Sequence, residues 1–365
     1  MKNLTTAGAA LLMTTSLAHA VGLDRSGQPV GIIFEEGNYA EFSFGYVMPE
    51  VTGDAIDLAP LGQPSGSIGD VADDYSQFSL GYKTDINDQW SFAIIVDEPY
   101  GANIDYPSDT PGLLQPTAAE LNAIALTGLA RYKLDENFSV HGGIRAQNVS
   151  ADITLPSSAT TVELEDSLAF GYTIGGAYER PDIALRVALT YISEIEHEFD
   201  ATVGGVVESE TKVTTPQAVN LDFQTGIAAD TLVFGSVRWA EYSVVKVQPD
   251  PLPVSITDIE DGFTYTLGVG RRFSDVFSAS LSATLDTEGE DDLVSPLAPT
   301  NGNYSIGLGG QYKVDDNITL SGGVRYIVVG DARPELDTPL GVDTAIAEME
   351  DNTAIAVGFK IGFNF

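Results

Sequence analysis

The chain has 365 residues, no cysteine and a formal net charge of −36 at pH 7. The lack of cysteine excludes disulfides and thiolate metal sites. The acidity argues against nucleic acid as a partner, because phosphate binding needs a basic face. No run of about 20 apolar residues offers a transmembrane helix, and no phosphate-loop, HExxH or EF-hand pattern is present. We therefore expect no metal and no cofactor.

The first 20 residues, MKNLTTAGAALLMTTSLAHA, have the pattern of a secretory signal peptide. Lys2 gives a positive start, a short apolar core follows, and Ala18-His19-Ala20 fits a small-x-small cleavage site. The sequence therefore predicts an exported protein whose mature chain begins at Val21.

Beyond the signal peptide, segments in which every second residue is apolar recur along the chain, as in strands with one apolar and one polar face. The even strand number, with short and long connections in alternation, predicts an all-β, 14-stranded antiparallel transmembrane β-barrel. The short connections form its periplasmic turns and the long ones its outer loops. The predicted strands span residues 37–48, 75–84, 89–98, 123–134, 138–153, 166–179, 183–195, 216–228, 231–246, 262–273, 277–287, 303–313, 318–329 and 353–365.

Two further patterns agree with a barrel. The last twelve residues, 354–365, alternate strictly and predict a final strand that seals against the first. Residues 131–145 and 311–325 repeat the same strand–turn–strand hairpin. In the second outer loop, residues 116–125 (PTAAELNAIA) suggest a short helix.

Most basic side chains of the strands share the polar, lumen-facing phase. Arg145, Arg238 and Arg325 each lie seven residues beyond the start of an outward-running strand. They predict a set of arginines at mid-depth that could hold a carboxylate through bidentate hydrogen bonds. The alternative is that they are ordinary wall arginines, paired with lumen acids such as Asp97 or Glu41.

At this point the chain resembles the FadL/TodX family of outer-membrane transporters of long-chain fatty acids and aromatic hydrocarbons. The resemblance covers nearly the whole mature chain and depends on four motifs in order. They are GLDRSG at 22–27, EGNYAE at 36–41, DEPYGA at 97–102 and RWAEY at 238–242. It implies a hatch inside the lumen, capture of apolar ligand by outer loops, and sideways exit at a kinked third strand.

Carried onto this chain, the resemblance divides it into a signal peptide (1–20), a short hatch (21–36) and the barrel (37–365). The hatch is short for the family and lacks the Asn-Pro-Ala motif of many members. Its apolar run would contact ligand; alternatively, the run packs against the inner wall or begins the first strand. The run comprises Val30, Ile32, Ile33 and Phe34.

The lateral opening would lie at Pro99, Tyr100 and Gly101, because proline removes a ladder hydrogen bond. The alternative is that these residues simply begin a loop.

The predicted function is passive uptake of hydrophobic compounds across the bacterial outer membrane. The arginines favour long-chain fatty acids over aromatic hydrocarbons as the cargo. We expect a monomer that contacts outer-membrane lipid and lipopolysaccharide, and no enzymatic activity. The alternatives are a hydrophilic diffusion porin and an outer-membrane lipid hydrolase, for which His141 and His197 are the available bases.

Overall fold

A computed structural model describes residues 23–156, 160–289, 292–337 and 343–365. The predicted signal peptide therefore lies outside the described residues. Fourteen antiparallel strands of the described residues form the wall. They are β1 Tyr39–Glu50, β2 Tyr75–Asp85, β3 Trp90–Asp97, β4 Ala118–Lys133, β5 Phe138–Thr154, β6 Thr161–Arg180, β7 Leu185–Ile192, β8 Ala218–Ala228, β9 Thr231–Ala240, β10 Gly262–Arg272, β11 Phe277–Asp286, β12 Asn303–Lys313, β13 Ile318–Val329 and β14 Thr353–Asn364.

The wall closes on itself, as the sequence predicts. The first strand, β1, pairs with β2 on one side and with β14 on the other, so that Tyr39 lies opposite Lys83 and opposite Asn364. Closure leaves neither the first nor the last strand with a free edge in the bilayer, where an unpaired backbone group would find no water. The short turns mark the periplasmic end of the barrel and the long connections its outer end.

The side-chain phase follows from the alternation. On β6, Leu168, Phe170 and Ile174 are exposed on the outer surface, whereas Thr173 and Ala177 are buried inside. Apolar groups contact lipid there at no desolvation cost, while small polar groups let lumen side chains approach the wall. The predicted lipid and lumen faces of this strand are confirmed.

Two predicted connections are wrong in detail. Residues 196–215 are not an irregular loop but belong to an outer hairpin, with strands Ile195–Val203 and Val207–Thr215. The hairpin extends the wall outward and pairs with the outer end of β6, Ala201 opposite Leu164. Its inward residues are largely apolar, but many charges on its outward face hide that alternation in the sequence.

The helix expected at residues 116–125 is also wrong, because β4 begins at Ala118 and runs through that segment. Ala119, Ala123 and Ala125 are buried on one face of the strand, a period of two that alanine's helix propensity conceals. The strand predicted to reach residue 246 ends at Ala240 instead.

The remaining elements are short. Five 3₁₀ turns occur in the described residues, at Gly31–Phe34, Ala59–Leu61, Gly112–Leu114, Pro181–Ile183 and Tyr242–Val244. Two small sheets order the outer loops; one joins Gly53–Ala55, Gly66–Ile68 and Ala347–Glu348, and the other joins Leu293–Val294, Arg333–Asp337 and Asp343–Ala345. Among the described residues, no helix is long and apolar enough to cross a membrane.

Close backbone approach makes Gly143 of β5 a sensitive position. A Cβ added there would collide with the carbonyl oxygen of Gly128 on β4, whereas a Cβ at Gly128 would meet nothing within 4 Å. Overpacking of this kind costs about 1–3 kcal/mol. We expect Gly143→Val to lower the fraction of folded, heat-modifiable barrel on semi-native gels, and the matched Gly128→Val to leave it unchanged. Equal folding of the two variants would contradict this reading.

Candidate functional site at the break in strand three

The N-terminal segment, residues 23–36, lies against the inner surface of the barrel. Ile32 and Ile33 of its 3₁₀ turn are 1% and 0% exposed. They belong to one apolar cluster with inward-facing residues of β3 and β4, which are Ala93, Ile95 and Leu129. The run from Val30 thus packs on the wall, and β1 begins only at Tyr39.

Phe34, at the end of this run, projects toward the periplasmic mouth. The guanidinium carbons of Arg131 and Arg186 lie 4.6 and 4.8 Å from its ring centroid, and the ring of His141 meets it edge-on at 5.6 Å. Two cation–π contacts hold the ring in place. The cavity that it borders has a volume of about 1190 Å³ and a largely charged lining that includes Lys83, Asp85, Arg131 and Arg186.

The third strand is interrupted in the wall. It stops at Asp97 and resumes as Gly101–Asp105, and both pieces pair with β4. Asp97 lies opposite Ala125 and Gly101 opposite Asn122, so three residues of one strand face two of the other. One extra residue is a β-bulge, which bends the strand. The predicted residues Pro99, Tyr100 and Gly101 therefore lie at an interruption of the wall, and not at the start of a loop.

The interruption leaves a gap in the ladder between β2 and β3. The two strands pair only between Ser79–Asp85 and Ser91–Asp97. Residues 75–78 of β2 pair with β1, and the described residues provide no strand partner on their other side. The backbone N–H of Phe78 instead donates to the Glu98 carboxylate at 2.7 Å. A side chain thus satisfies a donor that an unbroken β3 would have paired.

The N-terminal segment supports the break from inside. The Arg25 N–H donates to the Pro99 carbonyl and the Gly101 N–H to the Leu23 carbonyl, both at 2.9 Å. Asp24 and Tyr100 form an antiparallel bridge between these bonds. The Tyr100 hydroxyl also accepts from Gln28 Nε2 at 2.9 Å. This short ladder gives the interrupted strand a substitute partner.

Two of the three predicted arginines join the same network. Arg145 Nη2 lies 3.4 Å from both carboxylate oxygens of Asp97, which also accepts from the Ser26 hydroxyl at 2.5 Å. On the opposite side, Arg238 Nε donates to Asp24 at 2.5 Å and its Nη1 to Asn220 at 2.9 Å. The turn at residues 24–28 is therefore fixed between β3 and β9.

The third arginine is placed apart. Arg145, Arg238 and Arg325 lie on β5, β9 and β13, well separated around the wall. Arg325 is 4% exposed and lies opposite Gly307 of β12. The pair of Arg145 with Asp97 is the contact that the alternative reading of the arginines named. Glu41, the other acid that it named, pairs with Lys360 at 3.2 Å. Within the described part of the chain, Arg145 and Arg238 are linked through the N-terminal segment.

The sequence analysis names Asp97 as a possible partner of the arginines, but it does not predict the other partners in this network. Asp24 and Ser26 belong to the GLDRSG motif that supports the family resemblance and Gln28 follows it, but nothing in this short stretch indicates their partners. The partner of Ser26 lies 71 residues away along the chain, and that of Asp24 lies 214 residues away. A single sequence does not show which distant segments lie together.

The two histidines make ordinary wall contacts. His141 Nε2 lies 2.9 Å from the Thr190 hydroxyl, and His197 Nε2 lies 3.1 Å from Gln147. Ser139 lies two residues before His141 on the same face of β5, and its hydroxyl accepts a hydrogen bond from Arg131 Nε at 3.0 Å. Across the described residues, no group of histidine and acidic side chains is arranged to hold a metal ion.

A closed fourteen-stranded barrel with an apolar outer surface and a polar, charged interior defines an integral outer-membrane β-barrel protein. The family model for outer membrane protein transport proteins (OMPP1/FadL/TodX) matches residues 40–333. The chain therefore belongs to this family and to the outer membrane of Gram-negative bacteria.

Solved structures show the same fold at low sequence identity. A Pseudomonas aeruginosa FadL homologue superposes with a TM-score of 0.77 at 14% identity, covering 98% of each chain. The Pseudomonas putida toluene transporter TodX gives 0.64 at 13% identity over 91% of each chain. The Ralstonia pickettii toluene transporter TbuX gives 0.64 at 11% identity over 100% of each chain. A search of curated proteins found no match.

Proposed function

We propose that this protein takes up hydrophobic compounds passively and releases them sideways through the break in β3. The observation that carries the proposal is the missing ladder beside residues 75–78, where Glu98, Pro99 and Tyr100 interrupt the third strand. Diffusion through a water-filled pore does not require such a gap in the wall. It suits a cargo that passes directly from the protein interior into lipid.

An apolar surface leads from the outer loops to this gap. Tyr100 packs in one cluster with outer-half residues that include Val149, Phe199 and Val245, and Leu23 of the N-terminal segment packs against it. Keeping cargo on such a surface avoids exposing it to water, at about 25 cal/mol per Å² of apolar area. The route therefore favours apolar molecules over ions and sugars.

We propose long-chain fatty acids as the cargo class, with Arg145 and Arg238 as the groups that meet the carboxylate. Their guanidiniums lie beside the break, so that a bound head group would place its alkyl chain near the apolar cluster. Arg325 is proposed as a further lumen site, separate from this one.

A second cargo class, neutral aromatic hydrocarbons, is favoured by one specific observation. Arg145 and Arg238 already contact Asp97 and Asp24. An anionic cargo must displace these carboxylates, whereas a neutral one leaves them in place. The solved structures with this fold carry names of both kinds, a FadL homologue and toluene transporters.

Uptake by the Arg145→Gln/Asp97→Asn double variant separates the two cargo classes. Removing both charges leaves no unpaired buried ion, which single variants would create. We expect slower uptake of labelled long-chain fatty acid and unchanged uptake of labelled naphthalene in cells that lack their own transporter of this kind. The matched control is Lys360→Gln/Glu41→Gln, another buried ion pair of the lumen. Unchanged fatty-acid uptake in the first variant would remove the arginine hypothesis.

Ion conductance tests the proposal against a diffusion porin. Hydrophobic residues Ile32 and Ile33 and the network at residues 24–28 occupy the lumen, so we expect little current in planar bilayers. A large, steady conductance with permeation of small sugars would favour a porin instead. Release of fatty acid from phospholipid by the pure protein would favour the hydrolase.

A further inference from the structure

Arg25 reaches across the gap in the ladder from inside the barrel. Its guanidinium carbon lies 3.2 Å from the ring centroid of Tyr75, on the free side of β2. Its Nη2 donates to Asn103 Oδ1 at 3.1 Å, on the resumed part of the third strand. The Asp73 N–H donates to the Asn103 carbonyl at one end of the gap, and Ser79 pairs with Asp97 at the other. Between these two ends, the Arg25 side chain joins the two edges of the wall.

From this geometry we propose that Arg25 is the latch of the lateral opening, the residue whose side chain must leave Tyr75 before cargo passes. The inference rests on the proposed function and adds the residue that controls the same opening. It is distinct from the arginines that are predicted to bind ligand, because Arg25 contacts an aromatic ring and an amide at the two edges of the break.

The glycine at position 101 leaves room at the break for the Arg25 side chain. A Cβ at Gly101 would lie 2.8 Å from Arg25 Nε and 3.3 Å from its Cγ. Any larger residue at position 101 would therefore push the guanidinium away from Tyr75. The backbone of Arg25 is held separately by Pro99, so truncating the side chain removes the contact with Tyr75 without removing a backbone bond of the ladder.

On its outer side Arg25 borders a cavity of about 160 Å³. Tyr75, Gln77, Glu98 and Asn103 line the gap, while Ile124, Asn148 and Asp166 line the outward part. Arg25 therefore stands between the N-terminal network inside and a pocket that opens toward the membrane.

The pocket lies at a depth in the membrane where a charged side chain is tolerated. On the outward faces of β4 to β6, apolar Leu126, Ile144 and Phe170 give way to Asn148 and Asp166 toward the outer end. The opening thus lies where the hydrocarbon layer meets the polar head groups, and a guanidinium costs little there compared with the midplane. A single cation–π contact and one hydrogen bond are weak enough to open reversibly.

Uptake kinetics of latch variants test this inference. Both Arg25→Ala and Tyr75→Ala should raise the initial rate of naphthalene uptake by about threefold or more, since a cation–π contact is lost. The double variant should be no faster than either single one. Arg25→Lys, which keeps a cation for the ring, should fall between wild type and Arg25→Ala. Arg333→Ala, which breaks the exposed pair with Asp292 in the outer loops, serves as the control.

A labelling experiment gives a readout without cargo transport. The chain has no cysteine, so Ala125→Cys, a buried lumen position opposite Asp97, provides one thiol behind the gap. A lipid-soluble maleimide should label it faster in the Arg25→Ala background. Unchanged labelling and unchanged uptake in folded Arg25→Ala and Tyr75→Ala proteins would overturn the latch. Faster labelling in a protein that takes up no hydrophobic compound would overturn the proposed function and keep the latch.

Discussion

Joining Asp24 to Tyr100 by an engineered disulfide is expected to stop uptake, and reduction is expected to restore it. The two residues form an antiparallel bridge, and directly opposed residues in such pairs have Cα atoms about 4.5–5.5 Å apart, within the range that a disulfide spans. The bond would hold the N-terminal segment on the break permanently. Uptake by the oxidised Asp24→Cys/Tyr100→Cys variant should fall to the background of cells without the protein.

Because the chain has no native cysteine, the engineered pair can form no other disulfide within the protein. The two single cysteine variants report the cost of losing the Asp24–Arg238 contact or the Tyr100 hydroxyl. Ala332→Cys/Met349→Cys places a disulfide at another antiparallel bridge, in the outer loops, as the matched control. If the oxidised lock transported as fast as its reduced form, the N-terminal segment would not need to leave the break.

A charge on the lipid face should have the second large effect, on folding rather than on transport. Ile144 is 68% exposed on the outward face of β5. An arginine near the bilayer midplane costs about 2–4 kcal/mol, and the cost falls to about 0–1 kcal/mol near the interfaces. We expect Ile144→Arg to lower the free energy of unfolding from lipid vesicles by about 2–4 kcal/mol, measured by denaturant titration of tryptophan fluorescence.

Asp152→Arg supplies the control for this experiment, because Asp152 lies on the same face of β5 toward its polar outer end. Its folding free energy should stay near that of the wild type. Equal destabilisation by the two arginines would mean that the outward face at Ile144 does not contact hydrocarbon.

Much of the barrel was predictable because one physical rule repeats in every strand. A wall with lipid on one side and a packed lumen on the other demands a period of two, and residues 354–365 or 166–179 express it strongly. The rule fails where both faces are partly polar. In the outer hairpin, Glu196, Glu198 and Asp200 alternate with buried groups, but the charges dominate the pattern.

The site was predictable only in outline. Pro99 marks the break, since proline cannot complete a ladder. The bulge itself is one extra residue, visible only when Asp97 and Gly101 are set against their partners on β4. The contacts of Arg25 with Tyr75 and of Arg238 with Asp24 join segments far apart in sequence. No local pattern encodes them, because they depend on where the N-terminal segment lies in the closed lumen.

Photocrosslinking of labelled cargo tests the exit route most directly. A benzophenone amino acid at Asn148 lies beside the pocket outside the break, one at Leu267 on the lipid face of β10, and one at Leu134 at the periplasmic mouth. During uptake of labelled fatty acid or naphthalene, we expect crosslinks at position 148 and none at positions 267 and 134. Label at position 134 without label at position 148 would show that cargo crosses the whole lumen, and it would contradict release through the third strand.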